Sequence, residues 1–334
     1  MRREKIIIFG PSWVGDMVMA KSLFTNLKKR NPLCEIHLIA PNWSVGLAEK
    51  FDEVDKVIKT SFAHGKLDLL KRLQLSIQLR KNKYDECIFL VNSFKSLFSI
   101  MFSAIPLRTG FDGEFRRFFL NNSYKNTKNP TVEKFVQLSA SKNYKNPKII
   151  NPHLKFSKAQ GISFLKVRKI PTKKLIIIAG GAEFGPAKIL PLEKYGYIAT
   201  KLLNNGLNIL LVGSSNDQYV NNQINQFTNN RCYDITGQTS LSNIVDVIGL
   251  SSYFLSNDSG LMHIAAALNV NQESFFGSSD PKNTPPMNIN AQINYLNLEC
   301  SPCFKRNCPL GHFDCMNLIN EKEIADRILC KIKK

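Results

Sequence analysis

Short apolar runs alternate with amphipathic stretches along the first third of the chain. Lys5 followed by Ile6-Ile7-Ile8-Phe9 is a continuous apolar run, as expected of a strand buried on both faces. Over residues 16–29, Met17, Ala20, Leu23, Phe24 and Leu27 recur at the spacing of one helix face. Residues 35–40 predict a second strand, Val57 and Ile58 a short third, residues 67–80 a helix and residues 87–91 another strand. Strands separated by amphipathic helices predict a parallel sheet with crossover helices, the α/β class.

The alternation fades between about residues 121 and 172, where Asn, Lys and Pro accumulate, and a domain junction is expected there. It then restarts. Residues 174–179, 208–212 and 253–256 predict strands, and 192–204, 217–227 and 261–268 helices; residues 321–331 predict a terminal amphipathic helix. The expected domains are residues 1–155 and 172–318, with a terminal helix over 319–334. Two doubly wound Rossmann-like domains in tandem would face each other across a cleft lined by the carboxyl ends of their strands.

The length of 334 residues suits two domains of about 150 residues each, and 43% hydrophobic residues supply two cores. Charge changes the picture further. Forty-five Lys and Arg against 26 Asp and Glu give +19, which favours anionic partners, although Lys is abundant throughout the chain. No nucleic-acid module accompanies that charge, so a nucleic-acid partner is not expected. The apolar run at residues 6–9 is too short for a signal-peptide core, and no stretch approaches the roughly 18 apolar residues of a membrane span. These features lead to the expectation of a cytoplasmic chain whose eight cysteines are mostly reduced thiols.

Candidate chemistry sits where strands give way to helices. Gly10-Pro11-Ser12-Trp13-Val14-Gly15-Asp16-Met17 has the Gly-x4-Gly spacing of a phosphate loop but continues with Asp16 and Met17 instead of Lys and Ser or Thr. A carboxylate there suits proton abstraction from a substrate hydroxyl, and equally suits a helix N-terminus through the dipole. Gly180-Gly181-Ala182-Glu183-Phe184-Gly185-Pro186-Ala187-Lys188 offers free backbone N–H groups and a lysine to a phosphate. Asn257-Asp258-Ser259-Gly260-Leu261-Met262-His263 puts a hydroxyl and unhindered N–H groups at a helix N-terminus, with Asp258 a candidate cap or sugar contact. Ser214 and Asp217, also between a strand and a helix, are weaker candidates for holding a nucleoside. Cys300, Cys303, Cys308 and Cys315 follow C-x2-C-x4-C-x6-C, a spacing that suits either a structural zinc site or unliganded thiols.

Together these segments resemble the ADP-heptose:lipopolysaccharide heptosyltransferases. The resemblance runs through the Gly10–Met17 turn, Asn92-Ser93-Phe94-Lys95-Ser96, Arg108-Thr109-Gly110, the Gly181-to-Lys188 loop, the Asn257-to-His263 turn, Thr284-Pro285-Pro286 and Cys300-Ser301-Pro302-Cys303-Phe304-Lys305-Arg306. It covers nearly the whole chain in one order. It departs from the family pattern at Ile189-Leu190, where the family has Arg-Trp, and at Gly180, where the family has proline. The resemblance implies the GT-B architecture, with an acceptor-binding first domain and a nucleotide-sugar-binding second. The implied reaction is inverting, metal-independent heptosyl transfer from ADP-heptose to heptosyl-Kdo-lipid A, with Asp16 as general base. It implies that Lys188, Ser259, Gly260 and His263 hold the ADP, with Asp258 near the donor sugar; Glu183, Ser214 and Asp217 are further candidates for the donor, and Trp13, Lys95, Arg108, Arg116 and the neighbouring Arg117 candidates to meet the acceptor. It also implies peripheral contact with the anionic inner-membrane surface. No Asp-x-Asp motif is present to hold a cation, in keeping with no required cofactor. The alternatives are a sister transferase with another acceptor and a non-catalytic sugar-nucleotide-binding protein.

Overall fold

The computed structural model describes residues 3–62 and 67–333; Arg2 and Lys334, part of the terminal basic charge, lie outside the described residues. The chain divides into two compact units, Met1–Pro152 and His153–Lys334. The division falls before the helix Lys158–Val167, which the Asn- and Lys-rich sequence around it had left in the junction. That helix packs against Leu241–Ile248 in the second unit, and the Ser157 backbone N–H donates to Asp246 Oδ1 at 2.7 Å.

The first unit holds one parallel six-stranded sheet: β1 Lys5–Phe9, β2 Glu35–Pro41, β3 Lys56–Thr60, β4 Glu86–Phe89, β5 Leu107–Phe111 and β6 Asn122–Tyr124. The strand order is β3-β2-β1-β4-β5-β6. The β1 run Ile6-Ile7-Ile8 is fully buried because the sheet is covered on both faces. Phe9 and Phe89, on neighbouring strands, stack at 4.8 Å and tie the two centre strands together.

The second unit repeats the plan: β7 Leu175–Ala179, β8 Asn208–Leu211, β9 Tyr233–Asp234, β10 Tyr253–Asn257, β11 Gln272–Phe275 and β12 Ala291–Asn294. Its order is β12-β11-β10-β7-β8-β9, all parallel, so the sequence of crossovers matches that of the first sheet. The terminal helix Glu321–Lys333 is not a separate piece. It packs on Leu192–Asn204, buries Ile324, Ala325 and Ile328, and fixes Arg327 bidentately to the buried Glu273 at 2.9 Å.

In each sheet the order reverses beside the first strand. At that reversal the loops leaving two adjacent strands diverge to opposite faces and open a crevice. In the first unit these loops follow β1 and β4; in the second they follow β7 and β10. The candidate residues Asp16, Lys95, Lys188 and Asp258 all lie on those four loops or the helical turns they open. Among the described residues, no helix is long and apolar enough to cross a membrane.

Candidate active site

In the second unit, the loop after β7 and the turn after β10 are held together by one amide. Asn257 Oδ1 accepts from the Leu190 N–H at 2.9 Å and the Tyr195 hydroxyl at 3.1 Å, while its Nδ2 donates to the Gly180 carbonyl at 2.7 Å. Asn257 is fully buried, so these bonds are made in a medium where an unmet amide is costly. The result is a fixed path for residues 180–190, and at its end Lys188 Nζ donates to Asp258 Oδ2 at 2.5 Å. Asp258 is therefore the lysine's partner and not the helix cap. The cap position of Gly260–Ala267 is Ser259, whose side chain makes no capping bond. Its buried hydroxyl has no hydrogen-bond partner among the described residues.

His263 lies one turn into the same helix and is buried. Burial drives its pKa down to about 4, with Lys188 pushing the same way and Asp258 opposing. The ring is therefore neutral near pH 7, able to offer one N–H and one acceptor nitrogen. Two cations approach the Phe184 ring: Lys188 Nζ is 5.1 Å and the Arg306 guanidinium 5.4 Å from its centre.

Lys188, Asp258 and Phe184 line a cavity of about 200 Å³ whose other wall is Ser278, Ser279, Asp280 and Thr284. The hydroxyls of Ser278 and Ser279 are buried and make no hydrogen bond among the described residues. These serines follow β11, and spacing alone did not single them out. Serines after a strand are too common to signal a site; the informative property is their unspent hydroxyls, which depend on the fold around them.

Ser214 and Asp217 have a local occupation. The Asp217 carboxylate accepts from the Ser214 N–H at 2.8 Å and its hydroxyl at 2.9 Å, a reciprocal cap on the helix that follows. A Cβ on Gly181 would stand 1.8 Å from Asp217 Oδ1, so the aspartate also explains that glycine. Glu183 is exposed at the loop's apex.

In the first unit, Asp16 is in the first turn of the helix Val14–Arg30, half-buried, and Trp13 at the cap position is 54% exposed. Lys95 lies on the helical turn Phe94–Ser99 after β4, at the same sheet reversal. The other two basic candidates are placed differently. Arg108 spends its guanidinium on the carbonyls of Phe119 at 2.7 Å and Ile105 at 3.2 Å. Arg116, expected at the surface, is 0% exposed; its guanidinium lies 5.2 Å from the Phe89 ring, and burial lowers its pKa.

The four cysteines line a second small cavity of about 20 Å³ and are free thiols. Among the described residues, no group of three or more His, Cys, Asp or Glu side chains is arranged to hold a metal ion, so the zinc expectation gains no support. The Cys308 thiol is engaged instead by backbone: N–H groups led by that of Phe313 lower its pKa. The segment's visible work is to brace the loops after β7 and β11. The Phe304 N–H donates to the Ser278 carbonyl at 2.7 Å, and the Ala187 N–H to the Arg306 carbonyl at 3.0 Å.

Comparison with known proteins adds the following. Residues 72–314 match the model of glycosyltransferase family 9 (heptosyltransferase). The chain is 36% identical over 304 residues to lipopolysaccharide heptosyltransferase 2 of Salmonella typhimurium, covering 86% of this chain and 87% of that one. It is 39% identical over 308 residues to lipooligosaccharide heptosyltransferase 2 of Haemophilus ducreyi, covering 86% and 88%. The solved structure of Escherichia coli ADP-heptose lps heptosyltransferase II superposes with a TM-score of 0.87 at 30% identity, over 98% of each chain.

Proposed function

The chain belongs to glycosyltransferase family 9, the heptosyltransferases, and from that premise we propose that it moves L-glycero-D-manno-heptose from ADP-heptose onto the first heptose of a Kdo-lipid A core, with inversion and without a metal ion. The observation that carries this reading is the Lys188–Asp258 pair beside the unspent Ser259 hydroxyl, at the sheet reversal of the second unit. A departing ADP needs positive charge and N–H donors aimed at its oxygens. Lys188 and the N-terminus of Gly260–Ala267 supply both, in place of the cation that many transferases use. Neutral His263 can add one N–H donor. Asp258 holds the ammonium in place and is the nearest candidate for a sugar hydroxyl.

Inversion requires one in-line displacement: the acceptor oxygen bonds to the anomeric carbon as the bond to the diphosphate breaks, so one base suffices. Asp16 takes the proton from the acceptor hydroxyl. Lys95 and Trp13 are the candidate acceptor contacts in the first unit. We place this activity in the cytoplasm, with peripheral contact to the anionic inner membrane surface.

Calorimetric titration tests the donor site. ADP-heptose should bind wild type in EDTA and bind Lys188→Met at least tenfold more weakly. Equal affinity for both proteins would remove Lys188 from the diphosphate. NMR of the linkage formed would separate inversion from retention.

A further inference from the structure

We propose that the loop between β5 and β6 is a membrane-docking element that inserts Phe115 and Phe118 among the headgroups of an anionic bilayer. Phe115 is 81% exposed and Phe118 84% exposed, although their neighbour Arg116 is fully buried. The loop is built to produce that contrast. Gly113, Glu114 and Phe115 take φ values of 130°, 44° and 57°, three successive left-handed residues of which only one is glycine. A bulky aromatic in that region is strained, so the backbone is held there by its surroundings.

The holding contacts are visible. The Arg116 N–H donates to the Gly113 carbonyl at 2.9 Å, and its guanidinium reaches under the loop toward Phe89. Glu114 Oε2 accepts from the Phe94 N–H at 2.5 Å, and Phe119 packs edge-on against Phe94 at 5.7 Å. Glu114, Arg116, Phe119 and the buried Leu120 are thus spent on anchoring. Phe115 and Phe118 are left in water, where a loop serving only as a connection would carry polar groups.

The charge around the pair selects the occupant. Arg117, Lys125 and Lys128 are exposed, against two acidic residues between β5 and Lys128, the half-buried Asp112 and Glu114, which accepts from the Phe94 N–H. Lys125 and Lys128 follow β6, which runs parallel to β5, so they leave the sheet by the edge that β5 leaves. Exposed aromatic side chains with exposed cations on the same edge of the sheet match an interface that is apolar below and negatively charged at its surface. The same edge carries Asp16 after β1, so docking there would hold the base toward an acceptor anchored in the bilayer. The proposal rests on the membrane contact of the proposed function and assigns that contact to one loop; the transfer reaction is tested separately from it.

Flotation with vesicles of phosphatidylethanolamine and phosphatidylglycerol, against phosphatidylcholine vesicles, tests the proposal without any substrate. Wild type should float with the anionic vesicles only. Phe115→Ser/Phe118→Ser should bind them at least tenfold more weakly at an unchanged melting temperature, and Arg117→Gln/Lys125→Gln/Lys128→Gln should lose the anionic preference. Transfer to a deacylated, water-soluble acceptor should be unaffected in the phenylalanine variant, while transfer to acceptor in vesicles falls. No flotation of wild type, or undiminished flotation of the phenylalanine variant, overturns the proposal. Self-association in sedimentation velocity that the phenylalanine variant abolishes, with no vesicle binding, overturns it in favour of a second copy. Flotation by a protein that transfers to neither acceptor would sink the proposed activity and leave the docking element standing.

Discussion

Lys188 and Asp258 form a pair whose side chains are 17% and 6% exposed, so each protects the other from an uncompensated charge. Removing one partner of a buried pair costs about 3–5 kcal/mol in stability. Lys188→Met should therefore lower the melting temperature as well as donor affinity. The double variant Lys188→Met/Asp258→Asn should recover most of the stability and none of the affinity. Denaturant unfolding alongside ADP titration separates the two effects; recovery of both would mean that the pair is structural only. His263 gives a pH signature. Its folded pKa is lowered to about 4 from 6.5, so the unfolded chain takes up a proton first as the solution is acidified. The stability linked to its neutral ring is present above about pH 6.5 and is lost as pH falls from there toward 4, to at most roughly 3 kcal/mol. Unfolding curves of wild type and His263→Gln between pH 4 and 7 should converge on acidification; a constant difference would contradict the burial argument.

Among the elements, Gly185 marks a tightly constrained turn of the loop after β7, the proposed donor loop. It has φ 147°, and a Cβ there would stand 2.8 Å from the Arg306 carbonyl oxygen, the acceptor of the Ala187 N–H. Gly185→Ala should push the two segments apart, raise the donor KM roughly tenfold for a shift near 1 Å, and leave the acceptor KM unchanged. Steady-state kinetics with each substrate varied in turn would show it; an unchanged donor KM would mean that the Arg306 contact does not position Lys188. The central strands were legible because β1 and β7 are continuous apolar runs, and Leu192–Asn204 because its apolar stripe is regular. β5, β9 and the interior β11, the polar but fully buried Gln272–Phe275, were not, nor were the outer strands: β6 is the three polar residues Asn122-Ser123-Tyr124, and β12, Ala291–Asn294, is only half-buried. Such edge strands are made by their neighbours and carry little pattern of their own. Site residues divide likewise. Lys188, Asp258, Ser259 and His263 were picked out because glycine-rich turns frame them, and the fold brings Lys188 onto Asp258 beside the helix that carries the other two. Ser214 and Asp217 looked the same in sequence because a helix cap uses the same residue types. Arg116 looked like a surface contact because a single sequence gives no sign that an arginine is buried.

For the whole molecule, the duplicated strand order puts a strand reversal in each unit, and the chain carries a net charge of +19. A field of that sign accelerates encounter with an anionic acceptor and is screened over about 8 Å at physiological salt. Raising the salt from 50 to 500 mM should increase the KM for a phosphorylated acceptor severalfold and leave kcat nearly constant. A flat profile would assign the charge to composition alone. The central claim is heptosyl transfer with Asp16 as base. Its most direct test is ADP release from ADP-L-glycero-D-manno-heptose with a mono-heptosylated Kdo-lipid A acceptor, in EDTA, for wild type and Asp16→Ala. The expected result is acceptor-dependent turnover in wild type, undiminished by EDTA and at least a hundredfold slower in Asp16→Ala, within the usual range for a general base. Turnover that stops in EDTA, or that survives Asp16→Ala intact, would contradict the account.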